Sequence, residues 1–293
     1  MAETVNYLGV RFDRMTPEEA VDQLLDGAIA RESRRVCFAN AHTMNLCYKQ
    51  PALRKALLNC DMLLADGSGV LWGSKLCGRK LTYNLNGTDL VPALCRRGAA
   101  AGLSVYLLGA KPGVATDVAK NLKAACPGVK IAGERDGYFK DDEVDGILAD
   151  IRKSGAQVLL VAMGVPNQEL WIDRYADRLP GVTCIGVGGL FDFLAERVPR
   201  APRLFRAIGM EWLWRMMMEP RRLWKRYLIG NIVYLGHMLR HGWEDHPTDP
   251  RPNRAPKLTG PVSATSHSEF KHAGSEGSAM ARSGETASRR KSA

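Results

Sequence analysis

The feature that most constrains the fold is a unit that recurs along the chain: a short apolar run, a polar loop that often contains glycine, and then a helical pattern. Short apolar runs bounded by turn residues predict buried strands, and apolar residues at i, i+3 and i+4 predict helices. Strands that alternate with helices favour a parallel sheet with right-handed crossovers. The predicted fold is therefore α/β: a Rossmann-like, mostly parallel sheet with flanking helices. The predicted strands cover residues 35–39, 62–65, 104–108, 129–132, 157–163 and 182–187.

The N-terminal part of the chain supplies three further predictions. Residues 5–12 alternate weakly between polar and apolar, which predicts one strand. Thr16-Pro17-Glu18-Glu19 predicts a helix start, because it combines an N-cap threonine, a proline at the first helical position and a capping-box glutamate. One continuous helix is expected over about residues 44–59, just before the strand at 62–65.

Size and charge bound the function. The chain has 293 residues, of which 45% are hydrophobic, and a net charge of +10. Such a charge suits an anionic partner: nucleic acid, phospholipid or a phosphorylated substrate. The N-terminus has no basic segment before a long apolar stretch, and no uncharged run is long enough to cross a bilayer. A cytosolic protein is expected, with its seven cysteines as small buried residues in a reducing compartment.

Much of the basic excess follows Arg197, in a segment where arginines and lysines are mixed with tryptophans, methionines and aliphatic residues. This mixture over residues 200–240 is typical of a membrane-surface segment. A helical hairpin packed on the main domain with a solvated basic face explains it equally well, and the two are compatible. Three regions are thus predicted: an α/β domain over residues 1–198, a basic, Trp-rich helical appendage over 199–245, and a disordered tail over 246–293.

Asp66 ends the apolar run of residues 62–65 and is followed by Gly67-Ser68-Gly69. In an open α/β sheet, ligands sit at the carboxyl ends of the strands, and glycines leave the space above a carboxylate open. Asp66 is therefore well placed to act as a general base. The alternative is a turn aspartate that caps the next helix through the N–H of Ser68 or Gly69.

An ordered set of loops carries a resemblance to a known family. In chain order the motifs are Asn40, Ala65-Asp66-Gly67, Asn86-Gly87-Thr88-Asp89-Leu90, Asp136-Gly137-Tyr138-Phe139, Gly164-Val165-Pro166-Asn167-Gln168-Glu169, Gly186-Val187-Gly188-Gly189-Leu190-Phe191-Asp192, Arg200-Ala201-Pro202, Glu211-Trp212 and Glu219-Pro220-x-Arg222-x-x-Lys225-Arg226-Tyr227. Each motif alone is weak, but the set, spread in order over about residues 5–239, resembles the WecG/TagA/CpsF family of bacterial glycosyltransferases. The chain departs from the family's common residues at Phe38, Asn167 and Ala195-Glu196. These departures affect what the resemblance implies about the identity of the sugars more than what it implies about the reaction.

The resemblance implies an inverting transfer of a sugar from a UDP-sugar to a polyprenyl-diphosphate-linked sugar during cell-surface polysaccharide synthesis. The donated sugar would be of the N-acetylmannosamine, uronic acid or glucose type. The resemblance also implies a cytoplasmic enzyme that is peripherally associated with the inner face of the cell membrane and needs no metal. The expected partners are the donor, the lipid-linked acceptor and an anionic membrane surface, without nucleic acid; a homo-oligomer is left open.

The family match assigns roles to individual residues. Asp66 would be the general base, and Asn40 and Gln168 would position donor or acceptor through their amides; the alternative for both is a turn or cap role. Five residues would bind the UDP-sugar: Gly109, Tyr138, Gly164, Gly188 and Asp192. The alternative for Tyr138 is a core aromatic that anchors its loop. Four residues would hold the acceptor diphosphate: Arg215, Arg222, Lys225 and Arg226.

The chemistry of the leaving group supports the cationic residues independently. No Asp-x-Asp pair stands in a loop suited to a divalent ion, and Asp141-Asp142 falls early in a predicted helix, where it compensates the helix dipole. Cationic side chains and helix N-termini would then neutralise the diphosphate, so no metal and no cofactor are expected. Two other functions stay open: a Rossmann-like nucleotide-dependent oxidoreductase, for which Gly186-x-Gly188-Gly189 is a weak partial match, and an RNA- or membrane-binding module without catalysis.

Overall fold

A six-stranded parallel sheet lies at the centre of the computed structural model, which describes residues 3–202, 204–205 and 209–241. Its strand order is β4-β3-β8-β7-β5-β6, and helices connect and flank the strands. The predicted α/β, Rossmann-like architecture is therefore confirmed. The strands are β3 (Arg34–Ala39), β4 (Met62–Ala65), β5 (Ser104–Gly109), β6 (Lys130–Arg135), β7 (Val158–Ala162) and β8 (Thr183–Gly186).

Helices lie on both faces of this sheet, and two apolar clusters form the core. Successive strand residues point to opposite faces, so Leu63 packs with one cluster and its neighbour Leu64 with the other. The helices are α1 (Pro17–Ile29), α2 (Ala41–Lys49), α3 (Pro51–Leu58), α4 (Ser68–Leu76), α5 (Gly87–Gly98), α6 (Val114–Ala125), α7 (Val144–Ser154), α8 (Asn167–Tyr175), α9 (Leu190–Leu194), α10 (Glu211–Met218), α11 (Pro220–Trp224) and α12 (Gly230–His241), with a π-helical turn at Lys225–Ile229.

Two predictions for the N-terminal part are wrong. The single strand expected over residues 5–12 is an antiparallel hairpin of β1 (Glu3–Tyr7) and β2 (Val10–Arg14), because Leu8 and Gly9 turn the chain with φ values of +50° and +76°. The single helix expected over 44–59 is two helices, α2 and α3. The break is at Gln50, since proline disfavours helical geometry in the residue that precedes it.

The helix start at Thr16 and the burial of the cysteines are confirmed. The N–H of Glu19 donates to Thr16 Oγ1 at 3.2 Å, and the N–H of Thr16 donates to Glu19 Oε2 at 2.7 Å. These two bonds satisfy N–H groups that the first turn of α1 leaves without a helical partner. All seven cysteines are buried and reduced.

The C-terminal helices pack against the sheet domain rather than extending away from it. Tyr234 of α12 hydrogen-bonds Tyr7 of β1 through their hydroxyls at 2.7 Å, and Asn45 of α2 donates to the carbonyl of Gly230 at 2.7 Å. Among the described helices, none is both long and apolar enough to cross a bilayer. The division at residue 198 stays a prediction, and the predicted tail over 246–293 lies outside the described residues.

Candidate active site

Asp66 and Asn40 meet at the carboxyl edge of the sheet because β3 and β4 are neighbouring parallel strands. Ala39 pairs with Ala65 in register, and the N–H of Asp66 donates to the Ala39 carbonyl at 3.0 Å. The next residues therefore lie side by side, and Asn40 Nδ2 donates to Asp66 Oδ2 at 3.2 Å. Asn40 Oδ1 accepts from the N–H of Thr43 at 3.1 Å, which caps α2. Asn40 thus serves both as a helix cap and as the partner that orients Asp66.

The surroundings of Asp66 suit a proton acceptor more than a helix cap. No side-chain hydrogen bond caps α4, whose N-cap is Gly67. Gly67 has a φ of +88°, which favours glycine, and the space where a Cβ would stand is open. Burial raises the pKa of Asp66, while the Asn40 hydrogen bond and the charges of Arg226 and Arg215 lower it. Asn40, and not the N–H of Ser68 or Gly69, is the hydrogen-bond partner of the Asp66 carboxylate among the described residues, so the alternative role as a helix cap does not match the structure.

Two of the four predicted diphosphate residues lie near Asp66. Arg226 and Arg215 both act electrostatically on its carboxylate. The guanidinium of Arg215 stacks on the ring of Phe193 at 4.9 Å and lies against Gly189, where a Cβ would stand only 2.6 Å from Arg215 Nη2. The Arg215 guanidinium therefore lies directly against the backbone of Gly189.

Lys225, one of the other two predicted cations, does not join this group. Lys225 is exposed, and its ammonium lies over the ring of Trp224 at 5.6 Å from the ring centre. Arg222 is in α11, but its side chain lies outside what the structure describes. Within the described residues, no group of three or more histidine, cysteine, aspartate or glutamate side chains could hold a metal ion.

Gln168 is part of the same sheet edge but is almost entirely buried, with 2% of its surface exposed. Its Oε1 accepts from the N–H of Gly188 at 2.8 Å, and its Nε2 donates to Glu169 Oε1 at 2.8 Å. The amide therefore ties the start of α8 to the loop after β8. Direct contact between Gln168 and a substrate stays a prediction.

The predicted donor residues divide between two places. Tyr138 is 58% exposed and lines a polar cleft of about 300 Å³ with Gly113, Thr116, Arg135 and Asp136. The alternative role of Tyr138, a core aromatic anchoring its loop, does not match this exposure.

Asp192 is not among the described residues that line this cleft. It lies in α9, where its carbonyl accepts from the N–H groups of Arg197 and Val198. Gly109 and Gly164 end β5 and follow β7, at φ values of +131° and +77°. A Cβ on Gly109 would stand 2.6 Å from the Ala162 backbone, so only glycine fits there.

Sequence reasoning missed two titratable residues at this edge. His42 follows Asn40 by two positions, and its pKa is lowered to about 4 by burial first and the charge of Arg226 second. Glu169 is 1% exposed, and burial raises its pKa to about 7 against the hydrogen bond from Gln168. The available signal was position: each residue stands within two places of a residue already assigned to the site.

Comparison with known proteins shows the family of the chain. The model of the glycosyl transferase WecG/TagA/CpsF family matches residues 5–247. The chain is also similar to an N-acetylglucosaminyldiphosphoundecaprenol N-acetyl-β-D-mannosaminyltransferase of Bacillus spizizenii, with 33% identity over 193 residues, which is 66% of this chain and 74% of that protein. The chain therefore belongs to the WecG/TagA/CpsF family of glycosyltransferases.

Proposed function

We propose that the protein is an inverting glycosyltransferase that moves a sugar from a UDP-sugar to a polyprenyl-diphosphate-linked sugar. The observation that carries the proposal is one carboxylate, Asp66, held by Asn40 at the strand ends with two arginine charges acting on it. The name of the Bacillus spizizenii relative supports an acceptor of N-acetylglucosaminyl-diphospholipid type and a donated sugar of N-acetylmannosamine type.

In the proposed reaction, Asp66 takes the proton of an acceptor hydroxyl as that oxygen attacks the anomeric carbon from the face opposite the UDP. The carbon–oxygen bond to the diphosphate breaks, and the bonding electrons leave with UDP. Arg215 and Arg226 carry the positive charge nearest to this carboxylate among the described residues. Guanidinium groups suit phosphate oxygens because they are planar and can donate two parallel hydrogen bonds.

Tyr138 and Asp192 are proposed for the nucleoside of the donor: Asp192 does not line the Tyr138 cleft, but its helix α9 packs against α6, whose start forms part of the cleft wall. The exposed ring of Tyr138 at the polar cleft offers a flat surface to a uracil ring. A carboxylate such as Asp192 can accept the uracil N–H. The N-terminus of α6 begins just after Gly113 in the cleft wall, and its N–H groups favour a nearby anion.

Exposed apolar and basic side chains on the C-terminal helices support the proposal that the protein acts at the inner face of the cell membrane. Ile232 is 72% exposed and Trp72, on the neighbouring α4, is 63% exposed. The other exposed apolar side chains on these helices are Leu76, Met217, Met218, Trp224, Leu228, Ile229, Leu235 and Leu239. Arg221, Lys225 and Arg240 are exposed on the same helices, and each such cation near anionic lipid adds about 1 kcal/mol. Binding would be peripheral and would weaken with salt.

The test is a donor screen with purified full-length protein, a short-chain prenyl-diphosphate-N-acetylglucosamine acceptor, and released UDP as the readout. Asp66→Asn keeps the shape of the side chain but removes its basicity, so turnover should fall by a factor on the order of a hundred or more while UDP binding is kept. Asp142→Asn, an exposed carboxylate far along the chain, serves as the matched control. Near-normal turnover of Asp66→Asn would remove the proposed base, and absence of UDP release with every donor would contradict the function.

A further inference from the structure

Glu169 is a buried carboxyl group to which the proposed reaction assigns no task. It lies in the first turn of α8, one residue after Gln168. Its Oε1 accepts the hydrogen bond from Gln168 Nε2, whereas its Oε2 is buried without a hydrogen-bond partner among the described residues. A buried, half-satisfied carboxyl group is costly to keep, which prompts the question of what it contributes.

The hydrogen bonds around Gln168 fix the orientation of its side-chain amide. An amide side chain has a donor end and an acceptor end, and an ionised carboxylate only accepts. With Glu169 ionised, the NH2 group of Gln168 must face Glu169, so its oxygen faces the N–H of Gly188. A flipped Gln168 would set oxygen against carboxylate and NH2 against N–H, and would lose both bonds.

The orientation of the Gln168 amide is linked to Arg215, the arginine near the proposed base Asp66. Gly188 holds a φ of +55° and is followed by Gly189, on which Arg215 lies. Arg215 in turn acts on Asp66. The Gly188–Gly189 turn therefore packs against Arg215, one of the two arginines near Asp66. Gln168 holds the start of that turn through the N–H of Gly188.

We propose that Glu169 is a positioning residue: its carboxylate orients the Gln168 amide, and the amide fixes the Gly188–Gly189 turn that supports Arg215. The proposal rests on the function proposed above. It predicts that the ionised form of Glu169 is the active form, because a protonated carboxyl group presents its own O–H donor and can hold Gln168 in the flipped orientation.

The surroundings of Glu169 define the pH range of the effect. Its pKa, raised by burial to about 7, places the change near neutral pH. Its charge acts on the thiols of Cys37 and Cys47; the pKa of Cys47 is raised to about 12 by burial first, and that of Cys37 is raised by its hydrogen bond with Cys60 and by burial. Elements packed against α8 carry these further titratable groups: Arg35 on β3, Cys184 on β8, Arg54 and Lys55 on α3, and Asp177 and Arg178 on the turn after α8.

The experiment compares Glu169→Gln and Glu169→Ala with the parent protein in the UDP-release assay, across a range of pH. Glutamine does not titrate and, like the protonated carboxyl group, offers a donor to a flipped Gln168, so this variant should lose the limb of kcat/KM near pH 7 and stay at the lower activity of the acidic side. Any limb due to Asp66 stays in Glu169→Gln. Alanine leaves Gln168 free to flip, and kcat/KM should fall on the order of tenfold or more at every pH.

Leu53→Ala is the matched control for a purely structural loss. Leu53 lies on α3, in the apolar cluster that also contains Trp171 and Ile172 of α8. This control should lower the melting temperature but leave the pH profile of kcat/KM of the folded protein unchanged. A Glu169→Gln profile that keeps the limb near pH 7 would overturn the proposal, even if Glu169→Ala does not fold. So would a folded Glu169→Ala with parental kcat/KM. A parent protein that releases no UDP would instead contradict the proposed function.

Discussion

Replacing Glu169 by glutamine should also remove a pH-dependent cost from the folded protein. Burial raises the pKa of Glu169 from its ordinary 4.5 to about 7. The folded protein then binds this proton more tightly than the unfolded chain, so the free energy of unfolding falls as pH rises through this interval. Since one pKa unit corresponds to about 1.4 kcal/mol, the total cost is about 3 kcal/mol, and most of it accumulates between about pH 5 and pH 8.

The assay is urea unfolding followed by circular dichroism at several pH values between about 5 and 8, for parent and Glu169→Gln. The quantity to follow is the difference between their free energies of unfolding. The new amide places an N–H where the buried Oε2 stood, at a cost of about 1–3 kcal/mol that does not change with pH. The difference should therefore move in favour of the variant by about 2–3 kcal/mol as pH rises from about 5 to 8.

Glu18→Gln, an exposed glutamate in the first turn of α1, is the matched control and should give a nearly constant difference. Parallel stability curves for the parent and Glu169→Gln across this pH range would refute the reasoning. They would mean that the Glu169 carboxyl group titrates in the folded protein as it does in the unfolded chain.

Three further outcomes are expected. Arg215→Ala should lower kcat on the order of tenfold or more in the UDP-release assay, whereas Lys225→Ala, which removes a cation stacked on Trp224, should change it much less; equal losses would contradict the geometry. Asp192→Ala should weaken UDP binding in a calorimetric titration by a factor on the order of ten, and unchanged binding would remove Asp192 from the nucleoside site. Full-length protein should bind anionic vesicles at low salt and release them at high salt, and Ile232→Asp should weaken this binding; indifference to vesicles at low salt would contradict the membrane proposal.

The sequence was sufficient to predict the sheet and the strand-end position of Asp66, because both follow from a local pattern. A short apolar run that ends in a polar residue and glycine has few other structures open to it. The contact between Asn40 and Asp66 then follows from parallel pairing of β3 with β4. The break between α2 and α3 was equally local, since Pro51 stands in the sequence, and the regular apolar spacing around it concealed the break.

The rest depends on tertiary packing. Arg222, Lys225 and Arg226 stand at i, i+3 and i+4, which on a regular helix would place them on one face. In the structure, Lys225 lies over Trp224 whereas Arg226 acts on Asp66, and a π-helical turn runs over Lys225–Ile229. Nothing in the local sequence marks this turn. The burial of Glu169 was also hidden, because a glutamate in the first turn of a helix is normally an exposed, dipole-compensating residue.

The charges around Asp66 lead to a last prediction about the base itself. In the free enzyme, burial raises its pKa, and the charges of Arg226 and Arg215 oppose that rise. A bound diphosphate would bring negative charge to the same arginines and offset their effect on the carboxylate. The pKa of Asp66 should therefore be higher in the substrate complex than in the free enzyme, and the carboxylate should become a stronger base at the moment when a proton has to be removed.

The pH profile of kcat reports the complex and that of kcat/KM the free enzyme. In Glu169→Gln, where Glu169 no longer titrates, the acidic limb of kcat should lie at higher pH than that of kcat/KM. Coincident limbs would mean that the arginines do not hold the diphosphate close enough to Asp66 for its charge to be felt there.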